Sequence, residues 1–408
     1  MGAEKTVIAG DREESWRAVR RATEALCAPL QVEDHCAQPT EEASPPKWHL
    51  AHTTWFLEEF LLSRYRKDYR TFDDTFAFLF NSYYESVGPR AEKSRRGCYS
   101  RPTVGRVLAY RHAVNDRMEE LFASREYRDA QEPGDLVELG IHHEQQHQEL
   151  LLTDIKAILH CNPSRPAYTE AAGCRHPGNP SAQEAAAPRW IEFPAGLHSI
   201  GWSGNGFSFD NERPRHRQFL RGFRIRDHLI SNGEYLEFIQ AGGYRRPDLW
   251  LSDGWRLSQR EGWRAPLYWE GSGAAWSEYT LGGMAPLDPA RPVCHVSYFE
   301  ADAFARWRGS RLPAEAEWET ACRHGDAALR QMHGALWQWT ASAYLPYPGF
   351  RPLPGAVGEY NGKFMMDQMV LRGGSCATPS GHIRNTYRNF FPARTRWQFT
   401  GIRLAEDA

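Results

Sequence analysis

The chain has 408 residues, with 49 Lys and Arg against 51 Asp and Glu, 41% apolar residues and 25% charged ones. That length suits two or three domains at roughly 150 residues each. A net charge of −2 argues against a dedicated nucleic-acid binder or a polybasic membrane protein.

No apolar run approaches the ~20 residues needed to span a bilayer. The N-terminus is charged throughout and lacks the apolar core of a secretory leader. The eight cysteines are scattered, and none forms C-x-x-C. Reduced thiols and a cytoplasmic location are expected, with no disulfide framework and no zinc ribbon.

In chain order, residues 13–26, 46–66, 101–125 and 134–160 carry apolar positions at spacings of three and four. This period predicts amphipathic helices. Pro45-Pro46 stands where a helix can begin, and Pro133-Gly134 separates two of them. Four helices of this length suit an antiparallel bundle over residues 1–160. Residues 161–188 are rich in Pro, Gly and Ala and show no period, which predicts a connecting segment. From Arg189 onward, Gly and Trp punctuate short apolar runs. Residues 189–408 therefore read as a mixed domain of short strands and long ordered loops. Helices are expected there only at 232–241, 299–307 and 314–322. The fold class is α+β.

The most informative segment runs from Val137 to Leu159. His143 and His147 are four apart, so one helical turn puts both on one face. That face continues the stripe of Leu136, Leu139, Leu150 and Ile158. Imidazoles inside a bundle are costly unless something satisfies them, and a metal ion does so. The run His143-Glu144-Gln145-Gln146-His147 also fits the H-E-x-x-H pattern literally, with Glu144 as candidate base, but no third ligand follows at the spacing of the extended motif. A second helix carries His49 and His52 among Trp48, Trp55 and Phe56. One of these two could complete a three-histidine site. Spacing alone leaves Zn, Fe, Cu and Ni open.

At these residues the sequence resembles a known family. PPKWHLAHTTWF at residues 45–56, followed by HHEQQHQE at 142–149, resembles the DinB-like N-terminal domain of the ergothioneine-biosynthetic sulfoxide synthases (EgtB). Residues 292–322, 335–350 and 370–407 resemble the formylglycine-generating-enzyme (sulfatase-modifying-factor) domain, a C-type-lectin-related fold. The resemblance covers nearly the whole chain. It implies a four-helix DinB-like bundle carrying Fe(II) on His52, His143 and His147. His52 is preferred over His49 because the family places its ligand at that point of the motif.

The implied reaction uses O2 to join a cysteine-type thiol to imidazole C2 of hercynine (Nα-trimethylhistidine) and leaves a sulfoxide. Gln146 and the run Asn389, Phe390 and Phe391 match the family's substrate-contacting positions. Tyr83 and Tyr84 resemble the catalytic tyrosines of the branch that uses free cysteine. Arg90, Arg394 and Arg396 are candidates for the carboxylate of the thiol donor. Phe391 replaces an acidic residue of the γ-glutamylcysteine branch, so free cysteine is the favoured donor. The expected partners are these small molecules, without nucleic acid or membrane; the oligomeric state is left open.

Competing readings are an ovothiol-type histidine C5 sulfoxide synthase, a selenoneine-type synthase and a zinc-dependent DinB-like thiol transferase. Formylglycine generation would require a pair of reactive cysteines near the C-terminus, whereas Cys376 stands alone in the matching region.

Overall fold

The computed structural model describes residues 9–169, 188–273 and 275–408. Most of the connecting segment expected at 161–188 lies outside the described residues. The chain forms two compact units.

The first unit comprises the described part of residues 1–164, with Gly204–Phe207 and Leu353–Tyr360. Its four long helices are α1 (Ala9–Cys27), α2 (Pro46–Leu57), α3 (Val104–Phe122) and α4 (Gln131–Cys161). They fall where the apolar spacing puts them. Pro46 occupies the first turn of α2, where its missing N–H costs nothing. Thr103 caps α3 by accepting the Arg106 N–H. A π-helical turn at Glu58–Leu62 continues α2, and a final α-helical turn carries it to Tyr65.

Helix α1 packs on α4, and α2 packs on both α3 and α4. Every residue of α2 from Pro46 to Leu57 is buried. This central helix therefore has no polar face, and each of its polar side chains needs a partner inside the bundle. Gly140 lets α4 approach it closely: a Cβ there would stand 3.2 Å from a Leu57 methyl carbon.

A buried ionic cluster joins all four of these helices. Glu144 on α4 accepts from Arg20 of α1 at 2.9 Å, Arg111 of α3 at 2.6 Å and the Thr23 hydroxyl at 2.7 Å. Arg20 also donates to Thr54 of α2 at 3.0 Å. Burial, the largest effect, pushes the Glu144 carboxyl up. The two guanidinium groups outweigh it and bring the carboxyl to about 2.

The second unit comprises the described part of residues 165–203 with 208–352 and 361–408. It holds four small sheets. Strands β1 (Trp190–Phe193), β4 (Phe223–Arg226) and β12 (Ala405–Asp407) form an antiparallel sheet in the order β1-β4-β12. Strands β2 (Gly196–Ile200) and β3 (His216–Leu220) form a two-stranded ribbon. Strands β5 (Trp269–Ser272), β6 (Ala275–Thr280) and β7 (Gly283–Pro286) make a meander. Strands β8 (Trp337–Ala343), β9 (Met369–Arg372), β10 (Asn389–Phe391) and β11 (Thr400–Gly401) are ordered β10-β9-β8-β11, with β11 parallel to β8.

Helices α5 (Asn232–Gln240), α7 (Tyr298–Trp307) and α8 (Glu315–His324) lie at the expected places. Ser231 with Glu234, and Ser297 with Glu300, cap the first two by reciprocal hydrogen bonds. Helix α6 (Ser252–Arg260) was not expected from the sequence. It is short, has few apolar residues and carries Gly254, which is poor for a helix taken alone. Gly254 is required by packing, because a Cβ there would fall 2.6 Å from the Phe299 ring.

The core of this unit contains Phe193, Ile200, Leu220, Phe223 and Ile225, closed by Ala316, Ala321 and Tyr347. Beside it, buried arginines satisfy the carbonyl groups of the loops. Arg388 pairs with Glu315 at 2.6 Å and donates to the Asn211 and Leu345 carbonyls. Arg372 pairs with Glu319 and donates to the Thr386 and Tyr387 carbonyls. Long irregular backbone can be buried only when its polar groups find such partners.

Candidate metal centre

Three buried imidazoles converge in the first unit. His52 projects from α2, and His143 and His147 project from α4. One ring nitrogen from each lies within 4.8 Å of the others. His52 Nε2 and His143 Nε2 face each other at 3.2 Å. Two nitrogens each bonded to one ion at about 2.1 Å would stand roughly 3.0–3.4 Å apart, so this spacing fits a shared ion.

The tautomers can be read from the surrounding hydrogen bonds. The Phe80 carbonyl accepts only, so His52 Nδ1 donates to it at 2.6 Å and Nε2 keeps its lone pair. Asp154, as a carboxylate, accepts from His49 Nε2 at 3.0 Å. His49 Nδ1 must then accept, and its partner at 2.9 Å is His147 Nδ1. His147 therefore presents Nε2 with a free lone pair. Asp154 is itself held by the Ser44 backbone N–H at 2.8 Å. Such outer partners orient metal-binding imidazoles and raise their basicity. Among the described residues, His143 Nδ1 has no hydrogen-bond partner.

Burial keeps all three rings neutral. It lowers His143 to about 4 and holds His52 and His147 far below the usual imidazole value. A neutral imidazole is the form that binds a metal. The walls are aromatic. Trp48 stacks on His52 at 4.5 Å between centroids, and Phe56 packs on His143 at 4.5 Å. Three neighbouring ring nitrogens on rings neutral at physiological pH, with the His52 and His147 tautomers fixed, fit a divalent transition metal. All-nitrogen donors suit Fe, Zn, Cu or Ni better than Mg or Ca.

Glu144 does not take part in the cluster. Its carboxylate is turned to Arg20, Arg111 and Thr23, so H-E-x-x-H here is a coincidence of spacing rather than a working base. His142 stacks on Phe207, with ring centroids 3.9 Å apart. Asp154 was not singled out from the sequence. It lies seven residues after His147, two helical turns along the same face, and that spacing is the signal by which it could be found.

Tyr83 and Tyr84 follow the short helix Phe76–Phe80, whose last carbonyl holds His52. Their hydroxyls are 3.3 Å apart. Tyr84 is buried against Trp55, Phe56 and Phe60, so it shares the Phe56 ring with His143. Burial raises both phenols above their ordinary value, and both keep their protons at physiological pH. Gln146 is half-buried on α4, one position before His147. Arg90 is exposed and paired with Glu85 at 2.9 Å.

The remaining candidates lie in the second unit. Asn389, Phe390 and Phe391 are half-buried on β10. Phe390 stacks on Tyr344 at 4.0 Å, and Phe391 packs edge-on to Trp397. The side chain of Asn389 accepts the Phe390 N–H at 2.9 Å. Arg394 is exposed. Arg396 lies over the Trp263 ring and donates to Glu300 at 2.8 Å.

Comparison with known proteins extends this picture. The DinB superfamily matches residues 15–151, and the sulfatase-modifying factor enzyme 1-like domain matches 177–328 and 326–408. The hercynine oxygenase of Mycolicibacterium thermoresistibile is 30% identical over 377 residues, covering 80% of this chain and 79% of that one. That of Mycolicibacterium smegmatis is 31% identical over 322 residues, covering 68% and 72%. That of Mycobacterium tuberculosis is 36% identical over 242 residues, covering 49% of this chain and 56% of the relative.

A DinB-type helical domain with three converging histidines, joined to a sulfatase-modifying-factor domain, defines an oxidoreductase of the oxygenase class. The arrangement of both domains and the extent of the match narrow that class further. The chain belongs to the hercynine oxygenase family.

Proposed function

We propose that this protein is a non-haem Fe(II)- and O2-dependent sulfoxide synthase of ergothioneine biosynthesis. It joins a cysteine-type thiol to imidazole C2 of hercynine and releases hercynyl-cysteine sulfoxide. The observation that carries the reading is the convergence of His52, His143 and His147, neutral and oriented, in a chain of this family. Bound Fe(II) supplies activation of O2 and a partner for the thiolate.

The balance closes on one O2. Forming the C–S bond removes two electrons, together with the C2 and thiol hydrogens. Forming the sulfoxide removes two more. One oxygen atom ends on sulfur and the other in water.

The roles of the chain's own residues follow from their chemistry. Tyr83 and Tyr84 hold protons on their phenol oxygens and serve as the proton source near the reacting oxygen. Gln146 offers an amide to the substrate imidazole. Asn389, Phe390 and Phe391 serve hercynine, whose trimethylammonium favours aromatic faces and donates no classical hydrogen bond. Arg90, Arg394 and Arg396 are the candidates for the donor's carboxylate. Free cysteine is the preferred thiol over γ-glutamylcysteine, because Phe391 provides no carboxylate for the dipeptide's ammonium. In this reading residues 1–160 are the DinB-like bundle that carries the metal ligands, residues 161–188 are a linker, residues 189–408 are the formylglycine-generating-enzyme-like domain, and the reaction takes place in the cytoplasm.

The test is anaerobic loading of the protein with Fe(II), then O2 uptake with hercynine and each thiol in turn. Uptake that requires all three components, with a sulfoxide product linked at C2, is expected. No uptake with either cysteine or γ-glutamylcysteine would overturn the reading.

A further inference from the structure

The segment Leu353–Tyr360 belongs to the first unit although most of its sequence neighbours belong to the second. Its course is tight. Gly355 has φ +73°, and a Cβ at Gly358 would fall 1.8 Å from the Leu353 carbonyl oxygen. The Gly358 N–H closes the turn on the Gly355 carbonyl at 3.1 Å. Only glycine at 358 permits this path, so the residues that follow are delivered to a defined place.

Those residues meet the tyrosine loop. The two carboxylate oxygens of Glu359 accept the Glu85 N–H at 3.0 Å and the Ser86 N–H at 3.1 Å, together with the Ser86 hydroxyl. A carboxylate taking two consecutive backbone N–H groups and a hydroxyl makes charge-assisted bonds that fix the loop locally. The Tyr360 ring lies along the Tyr83 ring, with centroids 5.0 Å apart and planes 25° apart. Arg90 reinforces the same loop through Glu85.

The two tyrosines are held differently. Asn81 fixes the Tyr84 backbone from both sides, accepting its N–H at 3.0 Å and donating to its carbonyl at 2.9 Å. Tyr84 is then buried in the aromatic wall. Tyr83 is only half-buried, and the strap braces its outer side.

We propose that Glu359 and Tyr360 are positioning residues that hold the Tyr83 phenol at its contact with Tyr84. The proposal rests on the reading of Tyr83 and Tyr84 as the proton-holding pair. A phenol displaced by about 1 Å from its working geometry loses on the order of 10²-fold in rate.

The test compares Glu359→Ala, Glu359→Gln, Tyr360→Leu, Tyr83→Phe and the double variant Glu359→Ala/Tyr83→Phe in the full-length, iron-loaded protein with hercynine and cysteine. Glu359→Ala and Tyr360→Leu should lower kcat by about 10²-fold while iron content and the KM for hercynine hold. Glu359→Gln, which keeps one acceptor oxygen, should recover part of the loss. The double variant should be no slower than Tyr83→Phe, because Glu359 acts through Tyr83. Additive losses, or a change confined to KM, would overturn the proposal.

A second readout is independent of turnover. With 3-fluorotyrosine at position 83, the 19F resonance should shift or broaden in Glu359→Ala and Tyr360→Leu. An unchanged resonance sinks the strap. If Tyr83→Phe turns over at the wild-type rate, the catalytic reading of the tyrosines fails, and the 19F result still decides whether the strap orders Tyr83.

Discussion

His49 Nδ1 lies 2.9 Å from His147 Nδ1, and the opposite ring nitrogen of His49 meets the Asp154 carboxylate at 3.0 Å. A charge on one helix thereby sets the tautomer of a histidine one bond-chain further on. Asp154 and His147 share α4, while His49 reaches them from α2.

Breaking this relay should weaken the metal site without emptying the bundle. Asp154→Asn leaves His49 without an acceptor-only partner, so both His49 tautomers become available and His147 loses its fixed orientation. Metal affinity should fall by about 10–100-fold. Competition with a chelator of known affinity measures this. Equal affinity in wild type and variant would show that the relay is idle.

Glu144 should behave as a structural residue. Glu144→Gln takes the paired carboxylate from Arg20 and leaves Arg111 only Glu24, at 2.8 Å, as a counter-charge, and both arginines are at most 2% exposed. The expected loss of stability is about 3–5 kcal/mol. Urea unfolding tests it. A variant as stable as wild type but inactive would instead support a chemical role for this carboxylate.

Acid should act on the second unit through Glu315. Burial alone would raise this carboxyl, but Arg388 and Arg372 outweigh burial and hold it below its ordinary value of 4.5. Its contribution to stability is therefore complete above about pH 4.5 and fades as pH falls through the lower, folded-state value. Stability curves of wild type and Glu315→Gln should be well separated near neutral pH and approach each other in acid. Parallel curves down to the acid limit would contradict the ion-pair account.

Thiol reactivity should divide by burial. Burial raises Cys27 and Cys322 to about 12, whereas Cys98, Cys161 and Cys376 are exposed. Iodoacetamide near about pH 8 should label the exposed three first and reach Cys27 only on unfolding, since the thiolate is the reactive form. Peptide mass mapping over time gives the order. Early labelling of Cys27 would be incompatible with its buried place at the end of α1.

The helical half was legible because its apolar residues repeat with the helix period and its prolines mark starts. The two ligand-bearing segments were legible because histidines interrupt an apolar stripe, an expensive placement without a purpose. The π-helical turn after α2 was not visible, because it keeps the helical pattern while changing only the hydrogen-bond spacing. Helix α6 was missed because its fitness comes from Phe299 packing on Gly254, not from its own propensity. The buried arginines of the second unit were unreadable for a similar reason. A guanidinium is recognisable as core only once the carboxylates and loop carbonyls around it are known.

Sequence alone was enough for the presence of the four helices, the spacing that turns His143 and His147 to one side, and the family resemblance. These depend on local periodicity and on residue identity. Tertiary structure alone decided that His52 faces His143, that Asp154 speaks to His147 through His49, that Glu144 is tied up by arginines, and that residues 353–360 brace Tyr83. Each of these depends on the direction of a side chain across a contact between segments far apart in the chain, and no local pattern encodes that direction.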